Sequence, residues 1–167
     1  MPSVLVNLNG AGPYWTQACR DAVTHLNALF HRHHINVSLA LTGTNHAATI
    51  TVTPDPNLQG LLVHGRTQAR FTGNTLLSAD VKLPPQVQIN TPRALRDAGN
   101  GVREVIAAHE FVHALGQNGH DSELMTQTWQ KEAGHNAAGD RLKAGAHAMP
   151  PLVLSGATVN VLKGQWP

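Results

Sequence analysis

Apolar and polar positions alternate through "SVLVNLNG" (Ser3 to Gly10), and the glycine stops the run, so the chain opens on a strand. The period then lengthens. Across "YWTQACRDAVTHLNALFHRHH" (Tyr14 to His34), Ala18, Ala22, Leu26 and Leu29 share one face, which predicts an amphipathic helix. "INVSLAL" (Ile35 to Leu41) and "AATITVT" (Ala47 to Thr53) return to strand character before "TPDPN" breaks the chain. "RTQARF" (Arg66 to Phe71) and "LLSADVKL" (Leu76 to Leu83) predict two more strands, the second ended by "PPQ". Beyond "INTP", Arg93 offers a helix start, but Gly99 and Gly101 argue for one near Val102. Val102, Val105, Ile106 and Val112 mark that helix's buried side, and Gly116 ends it.

Past Met125 the pattern fades. "QKEAGHNAAGDRLKAGAHAMPP" is polar, rich in Gly and Ala, and weakly periodic, so it reads mostly as loop. "LSGATVNVLKGQW" closes the chain as a helix capped by Ser155. Strands followed by a helix and an irregular segment predict an α+β fold. A length of 167 residues suits one domain, 1–167, with a larger half over about 1–117 and a smaller one over about 118–167.

Composition narrows the function. The formal charge is +2 and no basic run is long, which argues against a nucleic-acid surface. "HRHH" (His31 to His34) reads as a solvated helix end. Cys19 is the single cysteine, so a disulfide framework within the chain and a cysteine-based zinc site are both excluded. No apolar run approaches membrane-spanning length. The opening "MPSVLVNLNGAGPYW" lacks the marks of a secretory leader. The expectation is a chain that stays cytoplasmic, leaves without a cleaved signal, or is already trimmed, and that works as a monomer away from membranes.

The chemistry concentrates in "AAHEFVHALGQNGHDSELM" (Ala107 to Met125). His109 and His113 are four apart on the expected helix, so both imidazoles project from one face. Two nitrogens on one rigid helix make half of a tetrahedral zinc site. Glu110 lies beside the pair, placed to act as a general base without ligating. Gly116 permits a left-handed cap that turns the chain back, and His120 follows as a candidate third ligand. Asp121 is an alternative third ligand. Glu132, farther downstream, would serve if the site followed the zinc peptidases that use a distant glutamate. A closed zinc site in a non-catalytic binding module is the remaining reading, although such a site has no use for a free Glu110.

"AAHEFVHALG", with His120 and Met125 after it, resembles the active-site helix of the matrixins, within the metzincin clan of zinc endopeptidases. The clan pattern is His-Glu-x-x-His-x-x-Gly-x-x-His followed by a methionine turn. The resemblance is dense over residues 105–125 and loose on both sides. It implies a metzincin-like catalytic domain: a twisted mixed sheet and two long helices above, and a smaller irregular part ending in a helix below. It also implies one catalytic Zn2+, with His109, His113 and His120 as ligands, Glu110 as base and Met125 as the floor beneath the metal. Clan spacing would put the third ligand at Gly119, so His120 stands one residue late. The family's second, structural zinc and its acidic calcium cluster lack their residues here, and lone His64 reads as structural or solvent-facing. Trp129 replaces the tyrosine that lines the matrixin specificity pocket. The implied substrate is a protein or peptide bound in extended form along an exposed strand. "RTQARF", with Ala69 at the substrate, is the candidate for that strand.

Overall fold

A computed structural model describes residues 1–44, 49–59, 64–90, 95–127 and 151–167. The fold is α+β, with a five-stranded mixed sheet and three α-helices among these residues. Strands β1 (Ser3–Asn7), β2 (Ser38–Thr42), β3 (Thr49–Pro54), β4 (Arg66–Thr72) and β5 (Thr75–Leu83) are ordered β2-β1-β3-β5-β4. The pairings β1–β2, β1–β3 and β3–β5 are parallel, while β4 runs antiparallel to β5 at the edge. Alternate residues (Val4, Val6, Ile50, Val52, Ala79, Val81) are buried on the face that carries the helices. The opposite face bears Thr51, Thr53, Asp80 and Lys82 in register.

Helix α1 (Pro13–Arg32) starts with proline at its first turn, where the missing N–H costs nothing, and ends in exposed His31 and Arg32. Its buried face includes Trp15, Ala18, Ala22, Leu26 and Leu29. Asn27 fastens it to β2: its amide donates to the Leu39 carbonyl at 2.9 Å and accepts the Leu39 N–H at 2.8 Å. Helix α2 (Asn100–Ala114) packs against α1, β4 and β5 and is buried on nearly every side, so its buried residues are mostly Val, Ile, Ala and Phe, with Glu104, His109 and Glu110 among them. A final helix, α3 (Gly156–Gln165), is capped by Ser155, whose hydroxyl accepts the Thr158 N–H at 3.0 Å.

Three expectations shift. β2 begins at Ser38, not Ile35, because the turn leaving α1 holds Ile35 through an N–H bond to the Phe30 carbonyl at 2.9 Å. α2 begins at Asn100, so Gly101 lies inside it. A short hairpin, β6 (Gln88–Asn90) with β7 (Leu95–Asp97), stands where the sequence offered no strand. Three-residue strands are too short to show a period. The expected loop over 130–150 lies outside the described residues. Among the described residues, no helix is long and apolar enough to cross a membrane.

Candidate metal centre

His109 and His113 stand on the last turns of α2, and the chain must return for a third imidazole to reach them. Gly116 makes the return. Its φ of +112° suits glycine alone, and a Cβ there would come within 2.9 Å of the Gln165 side chain of α3. The Trp166 indole, at the end of α3, donates to the Leu115 carbonyl at 2.8 Å and locks this corner.

The result is three converging imidazoles. His113 Nε2 lies 3.0 Å from His109 Nε2 and 3.2 Å from His120 Nε2. One ligand atom from each histidine lies within 4.8 Å of the others. The far nitrogens explain the orientation. His109 Nδ1 donates to the Leu124 carbonyl at 2.8 Å, and His113 Nδ1 donates to the Gln117 carbonyl at 2.5 Å. Carbonyls cannot donate, so the Nδ1 atoms of both neutral rings carry the hydrogens. Their Nε2 lone pairs then face one another.

Lone pairs held this close repel unless a cation or proton sits between them. Protonation is opposed here. Burial pushes His109 down to about 4, against the Leu124 hydrogen bond and helped by the neighbouring imidazoles. His113 is lowered as well, first by burial, with the Gln117 bond opposing. The donor set therefore fits a metal ion. Nitrogens about 2.0–2.1 Å from a tetrahedral zinc stand roughly 3.3 Å apart, close to the spacings observed.

Glu110 lies in the same cleft, which has a volume of about 430 Å³. It is 3% exposed and packs under Gly65, where a Cβ would sit 2.8 Å from its Cγ, Cδ and Oε1. The Thr67 hydroxyl donates to Glu110 Oε2 at 2.5 Å. Burial pushes the carboxyl up to about 7, and the Thr67 bond opposes the rise. A carboxyl near neutrality is poised to take up and release a proton.

Asp121 is turned elsewhere. Its Oδ2 accepts from the Thr158 hydroxyl at 2.7 Å and from the Gln117 amide at 3.2 Å, tying the return loop to α3. Burial raises its pKa, but the hydrogen bonds from Thr158, the Ser122 N–H, Ser155 and Gln117 outweigh this and hold it below the ordinary carboxylate range. The structure thus brings His120 to the other imidazoles and leaves Asp121 on α3. Met125 is fully buried at the end of the 3-10 turn Glu123–Met125, which packs against α2 and supplies the Leu124 carbonyl to His109.

Ala69 is half-buried on β4 and lines the cleft with Thr67 and Asn118. His64 is also half-buried on that wall. Trp129 and Glu132 lie outside the described residues. The sequence reading missed Gly65 and Thr67. The alternation of "RTQARF" did put Thr67 and Ala69 on one face, but their meeting with Glu110, 43 residues from Thr67, is a tertiary fact. The backbone acceptors at Leu124 and Gln117 leave no trace in residue identity. No protein-family model matches the chain, and no curated protein matches it.

Proposed function

We propose that this protein is a zinc-dependent endopeptidase with a metzincin-like, matrixin-like catalytic domain. One observation carries the reading: three imidazole Nε2 atoms converge in a cleft that also holds a buried carboxyl, beneath an edge strand. His109, His113 and His120 would hold the metal. Zinc bound there supplies a Lewis acid that polarises a substrate carbonyl and makes water a stronger nucleophile.

The protein's own groups do the rest. The Leu124 and Gln117 carbonyls fix the tautomers of His109 and His113, so both offer Nε2. Glu110 takes the proton of the attacking water and delivers it to the leaving amine, work that contributes about 10²–10⁴-fold. Thr67 and Gly65 hold its carboxyl in one position. Among the described residues β4 is paired on one side only, and its outer edge would accept an extended peptide that adds as a further strand and runs its backbone past the histidines.

The test uses an unstructured protein as substrate. Zinc-loaded protein is expected to cleave it, a strong chelator to stop cleavage, and added zinc to restore it. Cleavage that survives complete removal of metal contradicts the reading.

A further inference from the structure

β4 is an edge strand whose side chains alternate without interruption over Arg66 to Arg70. Thr67 and Ala69 face the cleft, while Gln68 and Arg70 are exposed on the other face; exposed Arg66 pairs with Lys82 of that other face and also lines the mouth of the cleft. Among the described residues, neither guanidinium has an ion-pair or hydrogen-bond partner. Across the ladder, Arg66 is paired with Lys82, Gln68 with Asp80 and Arg70 with Ser78. The strip therefore carries Arg66, Arg70 and Lys82 against Asp80 alone, three positive charges less one negative, a net +2. The whole chain is also only +2, so this edge is a local concentration of positive charge. The Lys82 amine is already engaged, donating to the Thr53 hydroxyl at 2.8 Å. The two arginines are left facing whatever adds to the edge.

We infer that the peptidase proposed above selects acidic substrates, through Arg66 and Arg70 acting on the substrate side chains that point away from the cleft. The inference rests on that reading of the site. A peptide added to β4 places one residue opposite Arg66 and another, four positions along, opposite Arg70. Directly opposed side chains on paired strands have Cβ atoms about 4.5–5.5 Å apart, within reach of a guanidinium and a carboxylate. Substrate residues of the alternate set enter the cleft beside Ala69 and are directly opposite neither arginine. The preference should therefore appear at two positions four apart, with a register that alternates along the peptide.

The experiment compares cleavage of one extended peptide sequence carrying Asp, Ser or Lys at each position in turn, and at pairs of positions four apart. The enzymes are wild type, Arg66→Glu, Arg70→Glu and the double variant. The readout is the Asp-to-Lys ratio of kcat/KM within each protein, which cancels any general loss of activity or folding. The wild type should favour Asp by about threefold for each arginine, and so about tenfold for the pair. The preference should weaken in high salt. Each single variant should lose or invert the preference at one position, and the double variant should prefer Lys at both. The same ratio in wild type and double variant overturns the inference, as does a preference at positions with no four-residue spacing. Glu110→Ala separates the two levels: cleavage that persists in it removes the peptidase reading, whereas lost charge preference with intact Glu110-dependent cleavage removes only the arginine assignment.

Discussion

Glu110 is held between opposing influences. Burial favours its neutral form, and the Thr67 hydroxyl favours the charged form that a general base needs. Replacing Thr67 by Val removes the donor and keeps the shape, so the Glu110 pKa should rise further. The base is active only when ionised. The acid limb of kcat/KM, which reports the free enzyme, should therefore move to higher pH in Thr67→Val, with activity recovering on the alkaline side. Thr67→Ser, which keeps the hydroxyl, should leave the limb in place. A limb that does not move in the Val variant would remove Thr67 from this role. At this scale much was legible in the sequence: helical spacing alone put His109 and His113 on one face with Glu110 beside them. The choice between His120 and Asp121 stayed open because what separates them is a contact with Thr158, 37 residues downstream.

Between α2 and α3, the return loop divides its work between neighbouring residues. His120 points to the imidazole cluster, and Asp121 accepts from buried Thr158 and buried Gln117. The two alanine variants should therefore fail differently. His120→Ala removes one of three donors and should weaken zinc binding the more, read by titration against a competing chelator. Asp121→Ala leaves the buried Thr158 hydroxyl without its acceptor, at about 1–3 kcal/mol, and should lower the melting temperature the more. Outer-sphere losses typically cost about 10–100-fold in affinity, so Asp121→Ala will still bind zinc measurably. The reverse pattern, with zinc lost from Asp121→Ala and retained by His120→Ala, would make the aspartate the ligand. The long elements were readable because their periods run for many residues. The β6–β7 hairpin was not, and neither were the starts of β2 and α2: the turn leaving α1 holds Ile35 on the Phe30 carbonyl, and Gly101 lies inside α2.

At the scale of the molecule, the sheet presents its last strand beside the three-histidine cluster, and α2 supplies two of those imidazoles and the core beneath them. The α+β class follows from the order of strand and helix signals along the chain, whereas the edge position of "RTQARF" was implied by the family resemblance alone. The strand order β2-β1-β3-β5-β4 does not follow from those signals, because parallel neighbours distant in sequence leave no local pattern. The peptidase account depends on one separation, between holding the metal and using it. Glu110→Ala tests it in a single paired measurement: zinc content and cleavage of an unstructured protein, for wild type and variant loaded with metal side by side. The account predicts close to one zinc per chain in both proteins, with cleavage reduced by about 10²-fold or more in the variant. Full cleavage by Glu110→Ala at equal zinc content would contradict it.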